Sequence, residues 1–269
     1  MIFAPLRKLF RSATSAADAP SVPAGERYYV VGDIHGRLDL FEELAAAIDA
    51  DDAASEPADT TVVLLGDLVD RGPDSAGVIR FAREWQSKRK VRILAGNHEE
   101  MFLESFDDRE VLRHFLKHGG RETILSYGIK KKKFNGLSIK ELFDLLPGLV
   151  PEEDRAFVSG FEEMIVAGDY VFVHAGIDPS RPLDEQKRTD LLWIRDRFLR
   201  HEGPLAKVVV HGHTIFDKLL DRGNRIGIDT GAFRSGVLTA LVLEGTSRRS
   251  IQAIQDGDWV AIKNEELTQ

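Results

Sequence analysis

Residues 62–72 read VVLLGDLVDRG. Four apolar residues, two of them β-branched, predict a buried strand over Val62–Leu65. The run stops at Gly66 and hands over to Asp67, Asp70 and Arg71, two carboxylates and a guanidinium within five residues. Four other short apolar runs end in the same kind of chemistry. Tyr28–Val31 is followed by Gly32-Asp33-Ile34-His35-Gly36, and Val91–Leu94 leads into Gly96-Asn97-His98-Glu99. Tyr170–Val173 ends in His174-Ala175-Gly176, and Val208–Val210 in His211-Gly212-His213-Thr214. Helical patterns over Leu38–Ile48 and Ser75–Trp85 lie between strands and predict α/β layering. Open α/β sheets bind ligands beyond the carboxyl ends of their strands, and glycine there lets chain and ligand approach closely. One such piece alone is weak, because a single histidine behind a strand is commonly a core residue. Five of them in order, each behind a strand, define a functional site.

The rest of the composition narrows the chemistry. The chain has 269 residues, 43% hydrophobic and 30% charged, which is ample for a substantial core. It has no cysteine, so disulfides, thiolate metal sites and thiol nucleophiles are excluded. With 36 Lys plus Arg against 44 Asp plus Glu the net charge is −8, unsuited to general nucleic-acid binding. A phosphate handled here needs a local source of positive charge. Asp, Asn and His without thiolates suit Mn²⁺, Fe or Zn²⁺. A carboxylate facing two such ions can bridge them, and two ions about 3.5–4 Å apart can clamp a phosphoryl group and acidify water. Arg71 adds a planar fork for phosphate oxygens.

The motifs GDIHG, GDLVDRG and GNHE, followed by HAG, WIRDR, HGHT and IDTG, resemble the phosphoprotein phosphatases within the calcineurin-like metallophosphoesterases, most of all the bacterial and lambda-phage type. The similarity runs from about Tyr28 to Leu243. It implies an α/β fold, a four-layer α/β/β/α sandwich of two mixed β-sheets with two divalent metal ions at their edge, Mn²⁺ foremost and Fe or Zn as alternatives. It further implies Asp33 and His35 on the first metal, Asp67 bridging both, and Asn97, His174 and His213 on the second. Arg71 and Arg195 would hold phosphate, with Arg197 close enough to compete for the second role. His98 would be the general acid and Asp70 its orienting partner, since an adjacent carboxylate favours the imidazolium. Attack would come from a metal-bridging water, without a phosphoenzyme. Ile215 stands where the nuclease and cyclic-nucleotide branches carry a further histidine, and it cannot ligate. His211 and Asp229 read as packing and hydrogen-bonding supports.

The substrate expected is a phosphoserine, phosphothreonine or phosphotyrosine protein. Symmetrical dinucleoside tetraphosphate hydrolases share the metal motifs but typically carry Ala in place of Asp70 and GNHD in place of GNHE, which favours the protein-phosphatase branch. A broad small-molecule phosphatase and a non-catalytic phosphate binder are the other readings; the complete set of ligands, acid and arginine argues against the last. Residues 1–26 are expected to form an arm and linker, with weak surface association through Ile2, Phe3, Leu6, Leu9 and Phe10. The phosphatase domain is expected over 27–269, with a helical insertion about 101–151 that buries Leu142, Phe143, Leu145 and Leu146. Lys130–Lys133 is expected in a loop, and Val237–Leu243 and Trp259–Ile262 as further strands. With no long apolar run and no convincing secretory signal, the expected compartment is the cytoplasm.

Overall fold

The computed structural model describes residues 19–267. The apolar positions between Ile2 and Phe10 lie outside the described residues. The first half of the chain alternates strand and helix: β1 (Glu26–Val31), α1 (Leu38–Ala54), β2 (Asp59–Leu64), α2 (Ser75–Lys88) and β3 (Val91–Ile93). Six helices follow: α3 (Asn97–Glu104), α4 (Arg109–Phe115), α5 (Arg121–Ser126), α6 (Lys131–Asn135), α7 (Ile139–Leu149) and α8 (Glu152–Ser159). Then come β4 (Met164–Ala167), β5 (Tyr170–Val173), α9 (Arg188–Trp193), α10 (Asp196–Leu199), β6 (Val208–His211), β7 (Leu220–Asp221) and β8 (Arg225–Gly227). The chain closes with α11 (Ala232–Ser235), β9 (Val237–Glu244), β10 (Ser247–Asp256) and β11 (Trp259–Glu266).

Two mixed sheets result. One has the order β11-β10-β9-β1-β2-β3, the other β4-β5-β6-β8-β7. In the first, β1, β2 and β3 run parallel. In the second, β5, β6 and β8 do. Both sheets are covered on two faces, which is why their central strands read as continuous apolar runs. Along β1, Tyr29 and Val31 pack outward with Leu40, Phe41, Leu44 and Trp85 of α1 and α2. Tyr28 and Val30 point the other way, into an inter-sheet layer with Phe172, Val210 and Ile226. Leu191, Ile194 and Phe198 from α9 and α10 cover the outer face of the second sheet. The four layers α/β/β/α are complete.

The helical segment has its own core around Phe102, Phe115, Ile124, Leu142 and Leu146. Leu142 and Leu146 are buried as expected, while Phe143 and Leu145 are only partly so. The helices run without a strand from Asn97 to Ser159, beyond the 101–151 expected. The lysine run is not a loop: Lys130 is the N-cap of α6, and Lys131, Lys132 and Lys133 lie within it. The stretch read as linker joins the body from Pro20 onward. Ser21 N–H donates to Asp169 Oδ2 at 2.9 Å and Val22 N–H to the Gly245 carbonyl at 3.0 Å.

Candidate dinuclear metal site

Every candidate ligand sits just past the carboxyl end of a parallel strand, so topology alone gathers them. Asp33 and His35 follow β1, Asp67, Asp70 and Arg71 follow β2, and Asn97 and His98 open α3 behind β3. His174 follows β5 and His213 follows β6. Each of the first ligands is buried, none more than 7% exposed. Five non-glycine residues among those described have positive φ: His35 (46°), Asp67 (51°), Asp70 (74°), Arg71 (69°) and His213 (61°). All five belong to this site, so the backbone strain of the molecule is concentrated where side chains must converge. Gly96 and Gly212 make room for that convergence. A Cβ on the first would strike Asp67 Oδ1 and on the second Asp33 Oδ1.

Asp67 is central. Its Oδ1 lies 3.4 Å from His174 Nε2, and its Oδ2 lies 3.5 Å from His35 Nε2 and 3.9 Å from His98 Nε2. Two clusters with ligand-like spacing share it: His35, Asp67 and His98 on one side, and Asp67, His174 and His213 on the other. Asn97 Oδ1 joins the second, 3.0 Å from His174 Nε2 and 2.8 Å from His213 Nδ1. Asp33 stands apart from the first, its carboxylate accepting from His213 N–H at 3.1–3.2 Å.

The donor set fits cations. A carbonyl can only accept, so His35 Nδ1 donates to the Val69 carbonyl and His174 Nδ1 to the Leu65 carbonyl, both at 2.8 Å. Each neutral ring then turns the lone pair of Nε2 inward. Burial holds both rings below the ordinary histidine range despite the attraction of Asp67. On the second side, lone pairs of His174, Asn97 and Asp67 face one another with no proton to share, an arrangement a metal ion resolves. Burial would raise Asp67, but the imidazoles around it hold it well below the usual carboxylate range. Asp33 is pushed well above that range by burial and by Asp229 and Asp67. Asp229 itself is raised to about 6, chiefly by burial, while accepting from Gly231 N–H at 2.8 Å. Three buried carboxylates crowded together also call for positive charge.

Beside the clusters lies a proton-handling pair. His98 Nδ1 donates to Asp70 Oδ2 at 2.6 Å. Burial depresses His98, but the charges of Asp67 and Asp70 and the Asp70 bond outweigh it and raise the ring above its ordinary range. The other oxygen of Asp70 accepts from Thr123 Oγ1 at 2.6 Å, and Ser75 Oγ lies 3.0 Å from that hydroxyl. Arg71 Nη1 and Nη2 reach Nε2 of His35 and of His98 at 2.5 and 2.8 Å. The guanidinium lies over the Phe233 ring, 4.9 Å from its centre. Arg71 N–H donates to the Gly119 carbonyl at 3.1 Å.

Arg195 is exposed at the start of α10 and bonds to none of the cluster, although its charge is felt at His174 and His213. The competing Arg197 is engaged elsewhere, 3.2 Å from Asp178 and 2.7 Å from Asp190. His211 is buried between Phe198 and Phe216, with ring centres at 5.1 and 6.1 Å. Several site residues carry no signal in the motifs. Thr123, Gly119 and Phe233 fall outside them. Glu99 lies inside one, yet its work is not evident there: the buried carboxylate accepts from the N–H groups of Asp67, Leu68 and Gly96 at 2.8–2.9 Å and pins the loop after β2. The glycine pair 119–120 before Thr123 is the one feature of the sequence that points to that region.

Residues 26–231 match the calcineurin-like phosphoesterase family, and the chain belongs to it. Its chemistry is therefore phosphoester hydrolysis at a dinuclear divalent metal centre. Among curated relatives, serine/threonine-protein phosphatase 1 of Salmonella typhimurium (strain LT2) is 29% identical over 217 residues, covering 78% of this chain and 89% of the relative. The asymmetrical bis(5'-nucleosyl)-tetraphosphatase PrpE of Bacillus velezensis is 28% identical over 237 residues, covering 79% and 87%. Among solved structures, a cold-active protein-tyrosine phosphatase of a psychrophilic Shewanella superposes with a TM-score of 0.54 at 17% identity, over 91% of this chain and 83% of that one. That similarity shows the fold. No helix among the described residues is long and apolar enough to cross a membrane.

Proposed function

We propose that the protein removes phosphate from phosphoserine and phosphothreonine in proteins, and from phosphotyrosine with less dependence on its acid. The observation that carries this reading is the His98–Asp70 pair, 2.6 Å apart and backed by Thr123. A serine or threonine alkoxide is a poor leaving group and gains much from protonation; a nucleoside diphosphate leaves as a stabilised anion and gains little. Building and burying an imidazolium beside the phosphate site is therefore worth most to an alkyl phosphomonoesterase.

In this reading Asp33, His35 and Asp67 would hold one ion, and Asp67, Asn97, His174 and His213 the other. Mn²⁺ is the expected occupant, with Fe and Zn²⁺ also suited to the donors. Such ions supply Lewis acidity and activate water. Arg71 would swing from His35 and His98 onto a phosphate oxygen, and Arg195, exposed at the start of α10, would take another. That movement frees His98 Nε2 to carry the proton delivered to the leaving oxygen. Asp70 holds the ring in register and favours its protonated form. Phe233, whose ring centre lies 4.9 Å from the guanidinium carbon, gives Arg71 a cation–π contact at the site.

A second reading is supported by two aromatic side chains flanking the clusters. Phe233 stands against His35 with ring centres at 5.4 Å, and Trp193, 39% exposed, against His213 at 6.5 Å. Such faces suit a nucleobase, and a tetraphosphatase is among the curated relatives. One experiment separates the readings. Metal-depleted protein is assayed with and without Mn²⁺ on a phosphothreonine peptide and on diadenosine tetraphosphate in parallel. Mn²⁺-dependent phosphate release from the peptide, with the dinucleotide intact, is the expected result. Rapid cleavage of the dinucleotide with an untouched peptide would overturn it.

A further inference from the structure

Four arginines are buried among the described residues: Arg27, Arg37, Arg225 and Arg248. Three of them rest on carboxylates. Arg27 pairs with Asp52 and Glu244, Arg37 with Asp39, and Arg248 with Asp221, at 2.6–2.9 Å. Arg225 is 9% exposed and has no carboxylate partner among the described residues. Its Nη2 donates to the Leu199 carbonyl at 2.5 Å, and Nη1 reaches Asn224 Oδ1 only at 3.4 Å. Its Nε–H is buried with no acceptor among the described residues. A buried cation without a counter-charge is costly, and a buried N–H without an acceptor adds to the cost.

The side chain borders a cavity of about 390 Å³ that it shares with Arg200, His201, Glu202, Arg222 and Asn224. His201 Nε2 is a second buried polar atom with no hydrogen-bond partner among the described residues. Glu202 is the one carboxylate of the lining, and it is exposed. Arg200 is already paired with Asp196 at 2.8 Å, whereas Arg222 stands exposed and close enough for its charge to depress Arg225, after burial itself. The lining thus gathers the guanidinium groups of Arg225 and Arg222 and the imidazole of His201. That is donor chemistry for a small tetrahedral dianion.

We infer that this cavity is a second anion site, taking free phosphate or sulfate, distinct from the metal centre. Arg225 begins β8, at the end of the strand away from the metal ligands, and faces the underside of α10. Leu199, whose carbonyl it holds, ends that four-residue helix, and Arg195 caps its start. An anion that completes the coordination of Arg225 therefore braces the segment that presents Arg195 to the metal site.

The test uses zinc-loaded, ¹⁵N-arginine-labelled protein titrated with sulfate, then with phosphate, at constant ionic strength. The buried Arg225 Nε–H gives a protected resonance, assigned by its loss in Arg225→Lys. A saturable shift of that resonance with a millimolar Kd is expected, unchanged in Arg71→Gln, where metal-site anion binding is impaired. Arg222→Gln, at an exposed position that leaves the core intact, should weaken the same titration by about tenfold. The proposal is overturned if the Arg225 Nε–H does not move, or if Arg222→Gln and the parent chain titrate alike. The readout needs no turnover, so its failure is separate from failure of the phosphatase assignment.

Discussion

Asp67, Asn97, His174 and His213 stand just past strand ends of the two sheets, and the Leu65 carbonyl orients the His174 ring. Asp70, Arg71 and His98 are held differently. Thr123 and Gly119, in a helical segment that belongs to neither sheet, grip Asp70 and Arg71. The first half of the site is therefore built into the sandwich, and in the proposed reading its residue types are those metal chemistry asks for. The second half is tuned from outside the sandwich, through a hydroxyl and a backbone carbonyl. Metal binding and leaving-group protonation should respond to different mutations.

The strongest way to break this division is Asp67→Asn. Loss of the shared carboxylate should remove both metals and lower turnover by about 10³-fold or more, several kcal/mol of transition-state stabilisation. A variant with full metal content and activity would remove the basis of the metal half. His98→Ala comes next, with a loss of about 10²–10⁴-fold on a phosphothreonine peptide and a much smaller one on p-nitrophenyl phosphate, whose leaving group needs no proton. Equal losses on both substrates would deny His98 the role of acid. Asp70→Asn should cost about 10–100-fold, as expected of a residue that orients another. Its pH profile is more telling. Asp70 helps raise His98, and if His98 is the acid, as proposed, its protonated ring is the active form and rate should fall as pH rises through that titration. Removing the carboxylate lowers the ring's pKa and should move this falling limb to lower pH; a limb that stays in place would detach Asp70 from it. The smallest effect is expected for Thr123→Val. Losing one hydrogen bond of about 1 kcal/mol should cost roughly fivefold on the peptide and leave metal content untouched.

The same division governs how far the sequence could be read. Candidate ligands at strand ends announce themselves, because each follows an apolar run with a glycine next to it or one residue further on, as with Asp33 after Val31-Gly32 and His174 before Ala175-Gly176. The α/β layering follows from strands such as β1, apolar on both faces, whereas the four-layer sandwich is implied only by the family resemblance. The short strands β7 and β8 escape notice because Leu220–Asp221 and Arg225–Gly227 have no period to detect. β10 escapes because Ser247–Asp256 mixes charged and apolar residues in an edge region of the sheet. The lysine run looks like a loop by composition, yet Phe134 lies beneath Arg121, its ring centre 5.5 Å from the guanidinium carbon, and ties that stretch into a helix. Thr123 itself could not have been singled out from the sequence: the glycine pair 119–120 marks only its region, and its role depends on a tertiary contact spanning 53 residues.

The central claim is that His98 is the acid while Asp33 completes the first metal site, although spacing groups His98 with His35 and Asp67. Metal content per chain, measured by mass spectrometry on purified His98→Ala reconstituted with Mn²⁺, tests this directly. The account predicts two ions per chain, as in the unmodified protein, with peptide dephosphorylation nearly abolished. One ion per chain, lost together with activity, would make His98 a ligand and contradict the account.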